Sequence, residues 1–142
     1  MKRYLTPLFL FVSSSAFAQD IPNAVANLIS DIGLEQADWH PGRERPDLEG
    51  YLPGGTYVEF DFNHSNEIEE IEAAKDGFFN ATLIAKIVPQ VLKDSPDYPR
   101  DAKFQKVELG QDKFEIKGLT AEGDEFEAKY DGTGQLEKWE RK

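Results

Sequence analysis

The chain has 142 residues, with 27 Asp and Glu against 16 Lys and Arg, two His, one Met and no Cys. Without cysteine, a disulfide scaffold, a thiol nucleophile and a Cys-ligated zinc site are all excluded. Ten Phe, five Tyr and two Trp within 39% apolar residues supply one ordinary core, so the length argues for a compact domain and against a disordered acidic tail.

In chain order, Lys2 and Arg3 precede a mostly apolar run over residues 5–12, and Ala16-Phe17-Ala18 puts small residues at the two positions a signal peptidase inspects. The pattern predicts a signal peptide over residues 1–18, cleaved after Ala18, and a periplasmic or secreted protein. The run is too short to cross a bilayer and no later stretch approaches about 20 apolar residues, so no membrane insertion is expected. Loss of Lys2 and Arg3 leaves 27 acids against 14 bases, a formal charge of −13. Nucleic acid and anionic lipid are therefore poor partners. Residues 19–75 hold 13 acids and 3 bases while residues 76–142 hold 14 and 11, which makes the first half the expected electronegative side.

The next signal is self-similarity at an offset of 68 residues. Gly42, Gly50, Gly55, Glu59, Glu69 and Glu72 recur as Gly110, Gly118, Gly123, Glu127, Glu137 and Glu140. Leu48 with Ile116, Phe62 with Tyr130 and Ile71 with Trp139 keep the chemistry, and a one-residue gap brings Pro22 onto Pro89. Each unit reads as a helix followed by four antiparallel strands. In the first, Val25, Leu28, Ile29 and Ile32 give helical spacing over residues 22–34, with strands over 35–40, 47–52, 56–62 and 67–73. In the second, residues 81–93 carry Leu83, Ile84, Ile87, Val88, Val91 and Leu92 as a helix that Pro89 kinks or restarts, with strands over 102–109, 113–119, 124–130 and 135–140.

Alternation assigns the strand faces, with Val58, Phe60 and Phe62 on one side and Tyr57, Glu59 and Asp61 on the other. The expected fold class is therefore α+β: two tandem helix-plus-antiparallel-strand units, residues 19–75 and 76–142, in one compact domain with the helices packed on one face of the sheet. The charged sheet face is the natural place for a partner, and Trp39, Tyr51, Tyr57, Glu59 and Asp61 are the candidate contact residues. His40 and His64 lack a helical partner or a clustered nucleophile, and Ser30, Ser65 and Ser95 stand in no nucleophile motif. No catalytic, metal-binding or cofactor-binding residue is assigned. Asp131-Gly132-Thr133-Gly134 lacks the spaced carboxylates of a calcium loop and reads as a hairpin turn.

The cadence of Lys113-Phe114-Glu115-Ile116 through Glu125-Phe126-Glu127-Ala128-Lys129-Tyr130-Asp131-Gly132, behind the helix head at Val88-Pro89-Gln90-Val91, resembles a PepSY-like domain. That periplasmic family includes folds similar to the beta-lactamase inhibitor protein. The resemblance covers residues 88–142, and the first unit looks like a diverged copy with Asn63-His64 in place of Asp131-Gly132. It implies a non-enzymatic exported module with no catalytic residues to carry over, and relatives are associated with inhibition or regulation of envelope enzymes. The expected function is a binding or regulatory module that engages a cell-envelope protein, one with a basic site, through its acidic sheet face. The alternatives are a soluble carrier of small cationic ligands or metal ions and, third, an acid-base hydrolase. A homodimer through edge strands stays open.

Overall fold

The computed structural model describes residues 20–42 and 44–142, so the expected signal peptide and its cleavage site lie outside the described residues. Pro22, extended and without an N–H, stands at the head of helix α1 (Asn23–Ile32), which ends at Gly33. Val25, Leu28 and Ile32 fall on one face of α1 and are all buried. Each contributes about 1.5–3 kcal/mol by leaving water.

Among the described residues nine strands follow: β1 (Glu35–His40), β2 (Asp47–Tyr51), β3 (Tyr57–Phe62), β4 (Ile68–Ala73), β5 (Phe79–Asn80), β6 (Lys103–Leu109), β7 (Lys113–Leu119), β8 (Glu125–Asp131) and β9 (Leu136–Arg141). They form a single antiparallel sheet in the order β1-β2-β3-β4-β6-β7-β8-β9, with β5 also paired to β6. The expected α+β class is corrected here, because the described residues are mostly antiparallel sheet with two short α-helices and do not make two helix-plus-sheet units. The helix expected over residues 81–93 does not form as one piece. Ala81–Ile84 makes a 3-10 helix, and α2 (Gln90–Lys93) starts only after Pro89. Proline cannot continue a helix and disfavours helical geometry at the residue before it. Pro96 then stands one turn beyond Leu92, and the β-branched Thr82, Ile84, Ile87, Val88 and Val91 lower helix propensity throughout.

The strand pairing repeats at the offset seen in the sequence. Leu48 faces Phe60 as Ile116 faces Ala128, Trp39 faces Leu48 as Val107 faces Ile116, and Phe60 faces Ile71 as Ala128 faces Trp139. The register shift between Asp61 and Phe62 recurs between Lys129 and Tyr130. Gly55 and Gly123 close equivalent hairpins with φ of +93° and +89°, backbone geometry that side-chain-bearing residues seldom adopt.

Because side chains alternate along a strand, this register sorts the sheet into two faces. One apolar row runs Trp39, Leu48, Phe60, Ile71, Val107, Ile116, Ala128 and Trp139. With Val25, Leu28 and Ile32 of α1 and Leu92 of α2, these residues belong to one continuous core, against which Trp139 is partly buried. The opposite face carries charge.

Candidate functional site

Two cross-strand rows make up the charged face. The first runs His40, Asp47, Asp61, Glu70, Glu108, Glu115, Lys129, Lys138, and the second runs Asp38, Glu49, Glu59, Glu72, Lys106, Lys117, Glu127, Glu140. On β1–β4 these positions hold seven acids and one histidine. On β6–β9 the equivalents of Asp38, Glu49, Asp61 and Glu70 are Lys106, Lys117, Lys129 and Lys138. The second half thus interleaves four ammonium groups with four carboxylates, as in the Lys138–Glu140 pair at 2.7 Å and the Lys129–Glu127 pair at 4.0 Å. The first half has the same lattice with an acid at every lysine position.

Inside that acidic patch, His40 is clamped between two carboxylates, its Nδ1 3.0 Å from Asp47 Oδ2 and its Nε2 3.0 Å from Asp38 Oδ2. The hydrogen bond to the buried Asp47 carboxylate, helped by the fields of both acids, outweighs burial and raises the His40 pKa above its usual value. The Tyr57 hydroxyl donates to Glu49 Oε2 at 2.9 Å, and burial together with that anionic acceptor pushes its pKa to about 12. Glu59 and Asp61 are adjacent on this face of β3. Glu59 is exposed, yet desolvation by its neighbours and the negative charges of Asp61 and Asp47 push its carboxyl up to about 7. Burial likewise raises Asp61 and Glu70, with Lys106 partly offsetting the rise at Glu70. Burial pulls Lys106 down, but Glu70 at 3.5 Å and Glu108 at 3.3 Å more than compensate, so this lysine is held charged at the seam between the halves.

Of the five candidate residues, Tyr51, Tyr57, Glu59 and Asp61 come together on this face, and the Tyr51 and Tyr57 rings meet edge to face at 4.9 Å. Trp39 does not join them. It is 5% exposed on the core side, with its ring edge-on to Phe62 at 5.3 Å, and so drops out as a contact residue. Asp38, His40, Asp47, Glu49, Glu70 and Glu72 belong to the patch and were missed. The available signal was the 68-residue offset applied to charge, which sets these acids against the lysines of the second half. Two sets of donor atoms lie within 4.8 Å of one another, from Asp38, His40 and Glu49 and from Asp47, Glu49 and Glu59. Carboxylate oxygens with one imidazole suit a divalent cation.

The overall fold is shared with putative periplasmic proteins. A putative periplasmic protein of unknown function from Bacteroides vulgatus ATCC 8482 superposes with a TM-score of 0.52 at 19% identity, covering 89% of this chain and 96% of that one. A putative periplasmic protein of the DUF2874 family from the same organism gives a TM-score of 0.52 at 18% identity, over 87% of this chain and 99% of that one. No family model and no curated protein matches the sequence. Among the described residues, no helix is long and apolar enough to cross a membrane.

Proposed function

We propose that this chain is an exported, non-catalytic binding or regulatory module that engages a cell-envelope protein through the acidic half of its sheet face. The observation that carries this reading is the lattice of Asp38, Glu49, Asp61 and Glu70, whose counterparts in the second half are four lysines. The second half shows how this backbone neutralises such a face from within. The first half presents the same positions as carboxylates, and a partner bringing Lys or Arg side chains to them completes the pattern. The signal-like residues 1–18 and the fold shared with putative periplasmic proteins support export. The mechanism is occlusion of the partner's basic site by shape and charge.

The test is capture from periplasmic extract of the source organism on the immobilised protein at about 0.05 M and about 1 M salt, where screening lengths differ several-fold. A specific protein held at low salt and released at high salt is expected. Recovery of nothing, or recovery indifferent to salt, contradicts the reading. A second reading, a carrier of small cations or metal ions, is favoured by the two sets of donor atoms at Asp38, His40 and Glu49 and at Asp47, Glu49 and Glu59. It predicts a rise in Tm with added calcium or manganese that saturates with concentration, since a ligand for the folded state alone stabilises by about 2.7 kcal/mol at a hundredfold excess over Kd.

A further inference from the structure

The outermost strands of the sheet, β1 and β9, end it differently. At β1 the register slips between Glu35 and Asp38 and Gln36 takes a φ of +52°, irregularities that blunt an edge against further pairing. The apolar row also ends there on a buried residue, Trp39. Among the described residues β9 pairs with β8 alone, and it does so regularly from Lys138 to Arg141. Its Trp139, stacked on Phe126 at 4.7 Å, is the one member of the apolar row left partly exposed.

The phase of the ladder says what that edge offers. The Lys142 N–H donates to the Glu125 carbonyl, and successive pairs in an antiparallel ladder alternate between hydrogen-bonded and non-hydrogen-bonded. Glu140 and Lys138 therefore bond to β8 through their backbone groups, whereas Trp139 and Arg141 direct theirs to the open side. Trp139 lies on the core side of the sheet. Lys138 and Glu140 lie on the charged face, 2.7 Å apart with side chains 55% and 45% exposed.

We propose that β9 pairs with β9 of a second copy of this chain, antiparallel about a two-fold axis at Trp139. In this register the backbone of Trp139 exchanges hydrogen bonds with that of the partner's Trp139, and the two indoles carry the apolar row across the junction. On the charged face Lys138 falls opposite the partner's Glu140, and Glu140 opposite the partner's Lys138. These are the non-hydrogen-bonded pairs, where facing side chains come closest.

Charge selects this register over its neighbours. Sliding the pairing by two positions sets Lys138 against Lys138 in one direction and Glu140 against Glu140 in the other. A slide of one position sets Trp139 against a charged-face residue. The junction joins the two charge-balanced halves and leaves the acidic strands β1–β4 at the outer ends. Its axis runs perpendicular to the sheet, so both acidic patches face the same side and the dimer is bivalent toward whatever binds them. The pairing itself stands apart from the identity of that partner.

Sedimentation equilibrium of the purified protein, from about 1 µM to about 1 mM, should show the mass of two chains emerging with concentration. Amide hydrogen exchange at high concentration should slow most at Trp139 and Arg141. Lys138→Glu and Glu140→Lys, both at exposed positions, should each weaken self-association about tenfold, because each sets like charges opposite one another at two places. Combined in one chain the two substitutions exchange the pairing and should restore it to within about twofold. An equimolar mixture of the two single variants should form a mixed dimer about tenfold tighter than either variant forms with itself. A protein that stays monomeric throughout overturns the proposal. So does a dimer whose newly protected amides lie in β1, or one that neither single variant weakens.

Discussion

Glu59 shows how much a single position reports about the face around it. Its carboxyl is held up near 7 because partial desolvation by its neighbours and the negative charges of Asp61 and Asp47 disfavour a further anion. Between the ordinary glutamate value of 4.5 and about 7, the folded protein holds a proton that the unfolded chain has released, so stability falls as pH rises through that window. His40 acts in the same direction. Its raised pKa contributes stability that is complete below 6.5 and is lost as pH climbs through the folded value. Melting temperature should therefore decline from about pH 5 to about pH 8. Glu59→Gln should flatten the decline and raise Tm at the alkaline end, by less than a buried carboxylate would because water reaches Glu59. A Tm that rises over the same interval in the native chain would contradict the described electrostatics. The sequence made Glu59 and Asp61 visible as neighbours on one strand face. It could not show that Asp47, seven residues after His40, closes on that histidine, because the pairing depends on a register set across the hairpin. Trp39 failed for the same reason: its near neighbours are polar, and only the pairing with Leu48 assigns it to the core side.

At the scale of elements, strands were far more legible than helices. Alternation in a chain with a charged outer face repeats every two residues and leaves little freedom, so residues 57–62 and 113–119 read directly as strands. Residues 81–93 satisfy helical spacing equally well, yet Pro89 and Pro96 cut the segment into a 3-10 turn and one turn of α-helix. Spacing records which side chains can share a face, whereas continuity depends on backbone donors that proline lacks. The pairing of β6 with β7 offers a sharp test at this scale. A Cβ on Gly118 would lie 2.1 Å from the Lys103 carbonyl oxygen, while one on Gly42 would have nothing within 4 Å. Gly118→Ala should cost about 1–3 kcal/mol or more, as the strands must part to admit it, and Gly42→Ala should be close to neutral. Urea unfolding of the two variants measures the difference, and equal midpoints would refute the described close approach.

Over the whole molecule, one sheet carries two electrostatic characters on a common lattice. The sequence already divided the charge between its halves and showed the offset that relates them, but the relation became a surface only when the strands were laid in order and β4 was seen to pair with β6. A strand register that recurs with acids in one half of the sheet and alternating lysines in the other lets the second half serve as a control for the first. The direct measurement is to place the second half's lysines in the first, as Asp38→Lys, Glu49→Lys, Asp61→Lys and Glu70→Lys together, and to compare salt-dependent capture of a periplasmic partner with that of the native chain. The account predicts a variant that folds, melts higher at alkaline pH and low salt than the native protein, and no longer retains the partner. Capture that persists undiminished in a folded variant would contradict the claim that the acidic half of the sheet is the binding face.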